Sequence, residues 1–162
     1  HTFIPSMTQT PGRLNLFDFK HFKFLADFAH NPAGLQLLCD FVNRLDSTYK
    51  VGIISGTGDR RDDDIREIGK ISAQNFDEII IRQDKHLRGR TAEEIINLLV
   101  EGIEEGKTKD IPVTILKKEK EAIQYAYDHA KPGSIITIMC DVIPEALGYI
   151  KNLQEEEQKQ NN

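Results

Sequence analysis

The chain opens without a sustained hydrophobic period. Residues 1–12 hold two prolines, a glycine and several hydroxyls, and read as an extended lead-in of the kind that connects to something upstream. From Arg13 the apolar positions alternate: Leu14, Leu16, Phe17 and Phe19 precede Phe22, Phe24, Leu25 and Phe28. Alternation this rich in aromatics predicts two strands that turn back on each other near Lys20 and His21. At Asn31 the period lengthens. Leu35, Leu38, Phe41, Val42 and Leu45 recur at helical spacing along one face. Asn31 supplies a cap, and Pro32 suits the first helical position.

A regular rhythm follows. Val51–Ser55 is a short apolar run, then comes a Gly-rich turn and a helix carrying Ile65, Ile68, Ile71 and Phe76. Glu78–Arg82 is a second run, followed by a polar loop and a helix with Ile95, Leu98, Leu99 and Ile103. Val113–Leu116 leads into a helix with Ala122, Ile123, Ala126 and Tyr127. Pro132 and Gly133 turn the chain into Ile135–Met139, and a last helix carries Ile143, Leu147 and Ile150. Residues 155–162 read as a solvated, frayed polar tail. Continuous apolar runs alternating with amphipathic helices imply parallel strands covered on both faces. The expectation is an α/β fold: a Rossmann-like, doubly wound, mostly parallel sheet of about six strands, the first antiparallel, filling one domain over residues 13–154.

Composition narrows the function classes. The 162 residues carry 21 basic and 26 acidic side chains, a net charge of −5, with 39% hydrophobic residues. No basic stripe exists to hold nucleic acid, and no apolar stretch approaches the roughly 20 residues of a membrane span. No signal peptide is read at the start. Cys39 and Cys140, far apart in apolar settings, read as reduced core thiols of a cytoplasmic protein.

Candidate chemistry gathers after the strand ends, where open parallel sheets bind ligands. Three polar loops fall there: Asp27–Pro32, Ser55–Asp64 and Arg82–Arg90, whereas the opposite rim has ordinary turns. Gly56-Thr57-Gly58 is either a tight turn or a phosphate approach, and Arg61 stands where the dinucleotide pattern needs glycine. Asp62, Asp63 and Asp64 either favour a helix start through its dipole or bind a cation, Mg²⁺ or a ligand's guanidinium or ammonium. Gly106-Lys107-Thr108 lacks the preceding glycine of a phosphate loop and reads as a helix end. His30, near Asp27 and Asn31, is a structural or a functional histidine, while His129 reads as a surface helix residue. No nucleophile–histidine pattern and no metal-ligand spacing is present, so no catalytic or metal-ligating residue is assigned.

Taken together, Pro11-Gly12-Arg13, Asp27-Phe28-Ala29-His30-Asn31-Pro32, Gly58-Asp59-Arg60-Arg61-Asp62 and Leu87-Arg88-Gly89-Arg90 resemble the C-terminal domain of the Mur ligase superfamily, within it the cyanophycin synthetase branch. The resemblance implies an ATP-dependent amide ligase. In such enzymes ATP phosphorylates a carboxylate, and an amine displaces the phosphate from the acyl phosphate. In that branch arginine joins the aspartate side chains of the cyanophycin backbone. The resemblance further implies that Arg13, Asp27, His30 and Asn31 line the ATP, and that Asp59, Arg60, Asp62, Asp63, Asp64, Asp84, Arg88 and Arg90 face the amino-acid substrate. It implies an upstream central ATPase domain holding most of the ATP and Mg²⁺, an ATP-grasp domain, and a homo-oligomeric full enzyme. Gln83, Lys85 and His86 depart from the acidic residues common in that branch, and no GTxGKT loop is present. The chain alone is therefore expected to be inactive. The alternatives are a freestanding Rossmann-like binding module and the corresponding domain of another Mur-type ligase.

Overall fold

The computed structural model describes residues 14–56, 61–83, 87, 89–140 and 143–160. The aromatic alternation forms the expected hairpin: β1 (Asn15–Asp18) runs antiparallel to β2 (Lys23–Asp27), with Leu16 opposite Leu25. The Phe19 N–H closes the turn on the Phe22 carbonyl at 2.9 Å, and the two rings stack with centroids 4.8 Å apart. Strands β3 (Tyr49–Ile54), β4 (Glu78–Arg82), β5 (Val113–Leu116) and β6 (Ser134–Met139) complete a six-stranded sheet in the order β1-β2-β6-β3-β4-β5. Every pairing except β1 with β2 is parallel. The fold class read from the sequence is therefore the one observed.

Five helices cover the sheet: α1 (Pro32–Val42), α2 (Asp62–Asn75), α3 (Ala92–Gly106), α4 (Glu119–Asp128) and α5 (Ile143–Gln160). One core lies under α1, α2 and α3, where Leu35, Ile68 and Leu99 meet Leu25, Ile54, Ile79 and Ile81. The other lies under α4 and α5, where Ile123 and Ile150 meet Phe24, Ile53, Ile80 and Ile138. Neighbouring strand residues feed opposite cores, as the two-residue repeat of a strand requires. Cys39 and Cys140 are buried thiols, each pushed up to about 12 by burial, and they form no disulfide.

Helices α2 and α3 touch backbone to backbone. A β-carbon on Gly69 would lie 2.1 Å from the Leu99 carbonyl oxygen, and one on Gly102 would lie 1.9 Å from that of Arg66. Only glycine permits this approach. Two expectations change. Phe76 is the cap residue beyond α2, not part of it, in extended conformation, and its ring lies where a side chain on Gly52 would sit. The tail expected to fray is helical as far as Gln160: residues 155–160 continue α5, and the Glu157 carboxylate accepts the Lys20 N–H at 3.2 Å. Acidic and glutamine-rich helical turns cost little in propensity, and Leu153, buried one turn earlier, anchors them.

Candidate functional site

The carboxyl ends of β2, β6, β3 and β4 lie side by side, and the antiparallel β1 starts at that same rim. Asp27 ends β2. Its carbonyl accepts the Cys140 N–H at 2.8 Å and its Oδ1 accepts the Leu14 N–H at 2.9 Å. The carboxylate is thus held beside the point where the lead-in joins the sheet, with acceptor sites still to offer. Next comes Phe28, 44% exposed, its ring centroid 5.2 Å from that of His30. His30 Nδ1 lies 3.1 Å from the Phe28 carbonyl. In the tautomer that donates this bond, Nε2 is the acceptor. The histidine is set by backbone and not by Asp27. Asn31 caps α1, its Oδ1 accepting the Gly34 N–H at 2.7 Å with Pro32 following. Its side chain is committed to the helix start.

The second loop meets the third. Asp62, Asp63 and Asp64 form the first turn of α2, where carboxylates favour the positive end of the helix. Each also faces an arginine. Asp62 pairs with Arg90 at 2.6 Å, Asp63 with Arg66 at 2.9 Å and Asp64 with Arg61 at 3.4 Å. Arg66 reaches onward to Glu101 of α3 at 3.0 Å. The carboxylates beside Arg61 and Arg66 push both guanidinium groups up from their ordinary value. Arg90 follows Gly89, whose φ of 83° suits glycine, and precedes Thr91, whose hydroxyl caps α3 by accepting the Glu94 N–H at 3.1 Å. The structure therefore joins the Asp62 and Arg90 loops by an ion pair. Gly56 has a packing reason: a β-carbon there would lie 2.9 Å from Ile95 and 3.0 Å from Ile65.

The sequence places Arg82 both at the end of the Glu78–Arg82 run and at the head of the third polar loop. The structure makes it the buried end of β4, 2% exposed, and not a loop residue. Its Nε and Nη2 donate to the Met139 carbonyl at 3.2 and 2.7 Å, and Nε lies 3.3 Å from the Glu119 carboxylate at the start of α4. A charge ending an apolar run reads as the first loop residue, and nothing local shows that it turns inward. With the Cys140 N–H on Asp27, this arginine ties β4, β6 and β2 together across the rim. Arg13, Asp59, Arg60, Asp84 and Arg88 lie outside the described residues. Gly106 ends α3 as read, and His129 caps α4, stacked on Tyr125 at 4.0 Å.

The fold and its charged rim define a Rossmann-like α/β domain with charged loops on the carboxyl edge of the sheet. Residues 12–141 match the family described as Mur ligase, glutamate ligase domain, and the chain belongs to it. Among curated relatives, the cyanophycin synthetase of Crocosphaera subtropica is 38% identical over 149 residues, covering 92% of this chain and 17% of the relative. That of Nostoc sp. is 36% identical over 164 residues, covering 99% of this chain and 18% of the relative. The UDP-N-acetylmuramoyl-L-alanyl-D-glutamate–2,6-diaminopimelate ligase of Aquifex aeolicus is 30% identical over 129 residues, covering 80% and 26%. The chain thus spans less than a fifth of the cyanophycin synthetases it matches. A solved structure of a UDP-N-acetylmuramoyl-L-alanyl-D-glutamate–2,6-diaminopimelate ligase superposes with TM-score 0.76 at 17% identity, over 92% of this chain and 32% of that one. E. coli FolC in complex with ADP superposes with TM-score 0.65 at 17% identity, over 91% and 32%. These two likenesses establish the shared fold. Among the described residues, no helix is long and apolar enough to cross a membrane.

Proposed function

We propose that this chain is the closing domain of a cyanophycin synthetase-type amide ligase, completing a nucleotide site and an amino-acid site whose other halves lie upstream. The observation that carries the reading is the Asp27–Asn31 rim, with its carboxylate held by the Leu14 N–H on the edge that also carries the Asp62 and Arg90 loops. Asp27 offers acceptor sites to the ribose hydroxyls of ATP, and Arg13, His30 and Asn31 line the same edge. The residues Asp59–Asp64, with Arg60 among them, and Asp84, Arg88 and Arg90 face the incoming amino acid, arginine in this reading.

The chemistry proposed for the complete enzyme balances simply. A carboxylate oxygen of the aspartate chain attacks the γ-phosphorus of ATP, and ADP leaves with the electrons of the broken bond. The α-amine of arginine then attacks the acyl carbon. Phosphate departs and the nitrogen loses a proton to give the amide. This chain's part is to orient and to exclude water. Among the described residues, no three His, Cys, Asp or Glu side chains converge as metal ligands. The acidic turn of α2 is already matched by arginines, so this donor set does not suit Mg²⁺, and the reading leaves that ion to an upstream domain.

Read with its native upstream sequence, the protein should release ADP only when both arginine and an aspartate-chain primer are present. In that protein Asp27→Asn should raise the KM for ATP about tenfold and leave that for arginine unchanged, the expected loss of one or two hydrogen bonds to a charged acceptor. ADP release indifferent to arginine would overturn the amino-acid assignment, and an unchanged ATP KM would overturn the role of Asp27. The isolated chain should bind ATP weakly or undetectably by calorimetry and form no amide.

A further inference from the structure

Met139 ends β6, and its peptide bond to Cys140 is held from both sides. On one side the Cys140 N–H donates to the Asp27 carbonyl at 2.8 Å. On the other, the Met139 carbonyl accepts from Arg82 twice, from Nε at 3.2 Å and from Nη2 at 2.7 Å. A trans peptide points its N–H and its C=O in opposite directions, so one planar unit joins the arginine to the aspartate. Strand β3 is in register with β6 only as far as Ile53 opposite Ile138, so Met139 stands one residue past that pairing. Arg82 comes from β4, on the far side of β3, and supplies donors where that strand pairing has ended. A guanidinium on a carbonyl makes a charge-assisted bond, and in a chain of hydrogen bonds each polarises the next. The Cys140 N–H is thereby a stronger donor to Asp27.

Stability alone gives little reason to keep a buried arginine beside a largely buried glutamate, since replacing both partners by apolar groups is often neutral or better. We propose that Arg82 is a positioning residue for the nucleotide: through the Met139–Cys140 peptide it fixes the backbone of Asp27, and with it the carboxylate that meets the ribose of ATP. This rests on the reading of Asp27 given above. The Asp27 carboxylate is tethered by the Leu14 N–H at 2.9 Å, and its carbonyl by the Cys140 N–H. Arg82 holds the second tether in place. The same arginine precedes the third loop, but that loop has anchors of its own. The Gln83 N–H donates to the Leu116 carbonyl at 3.3 Å, and Arg90 pairs with Asp62 at 2.6 Å. A change at Arg82 is therefore felt at the nucleotide edge and not at the amino-acid loop.

In the protein with its native upstream sequence, Arg82→Lys keeps the buried charge and gives up the planar two-donor fork. It should raise the KM for ATP about fivefold and leave kcat within about twofold, the pattern of binding lost equally from ground state and transition state. The KM for arginine should not move. KM does not depend on how much of the protein is folded, so a loss of stability does not imitate this result. Arg82→Gln, neutral with a single amide donor, should give the same shift and serves where lysine is not accommodated. Asp77→Asn, which weakens the fold at the opposite rim, should leave the ATP KM unchanged. In an Asp27→Asn background, adding Arg82→Lys should raise the ATP KM no further, because both changes act at one contact. Three results would overturn the proposal while Asp27→Asn still raises the ATP KM: no shift in either Arg82 variant, a rise in the arginine KM instead, or additive effects in the double variant. An Asp27→Asn variant with unchanged ATP KM would remove the ribose reading itself, and this proposal with it.

Discussion

The two ends of the sheet use their polar groups differently. At the amino ends of the strands, most of the polar contacts run to backbone. Asp77 accepts the Lys50 N–H at 2.8 Å on one oxygen and meets the Lys109 ammonium on the other. The Thr48 hydroxyl donates to the Pro132 carbonyl at 2.9 Å, and the Gly133 N–H donates to the His21 carbonyl at 2.6 Å. At the carboxyl ends, the groups around α2 bind other side chains: Asp62 with Arg90, Asp63 with Arg66, Asp64 with Arg61. A bond to backbone fixes the course of the chain. A pair of exposed side chains can be exchanged for a ligand's carboxylate or guanidinium at little cost, since such pairs contribute about 0–1 kcal/mol. One end closes the fold, and the other presents groups that can change partners. Some groups at the carboxyl end bind backbone too: Asp27 holds the Leu14 N–H, Asn31 the Gly34 N–H, and the buried Arg82 guanidinium donates to the Met139 carbonyl.

That contrast sets an order of effects. Arg82→Met should be the most damaging change, costing about 3 kcal/mol, because it removes the guanidinium beside the largely buried Glu119 carboxylate and both of its donors to the Met139 carbonyl. Urea unfolding measures it. A loss below about 1 kcal/mol would place Arg82 among the exchangeable pairs. Asp77→Asn, at the opposite end, should cost about 1 kcal/mol. Burial alone would raise the Asp77 carboxyl, but Lys109 and the Lys50 N–H outweigh it and hold the carboxyl below its ordinary 3.8. A depressed carboxyl stabilises above its unfolded value and loses that contribution as pH falls through the folded value. The gap between wild type and Asp77→Asn should therefore be full at neutral pH and close below about pH 4, as thermal melts across that range would show. Asp63→Asn should shift stability by about 0.5 kcal/mol or less and lose even that in high salt. A loss comparable with that of Asp77→Asn would erase the distinction between the two ends.

Much of the fold was legible in the sequence. Strands β4 and β5 have the bounds their apolar runs implied, Glu78–Arg82 and Val113–Leu116. Continuous β-branched stretches between polar loops leave little else to build. The end of α2 was not legible, because Phe76 keeps the helical spacing yet is drawn off by the space above Gly52. Nor was the far end of α5, whose polar turns show no apolar period of their own. That the three loops follow strands ending on one rim came from parallel strands alone. Which arginine meets which aspartate did not: the partners of the Asp62 pair stand 28 positions apart, and their meeting depends on how α2 and α3 pack.

That packing reaches beyond stability. Because Gly69 and Gly102 bring the two helix backbones into contact, α2 and α3 have little room to slide or rotate past one another. The Asp62 turn begins one helix and Arg90 stands just before the other. A push on either loop is therefore delivered to both, as on two prongs of one fork. The amide hydrogens of α2 and α3 should exchange with solvent in a single cooperative event. Gly102→Ala, which would wedge the prongs apart, should split that event in two and loosen the Asp62 and Arg90 loops, the latter from about three helical turns away.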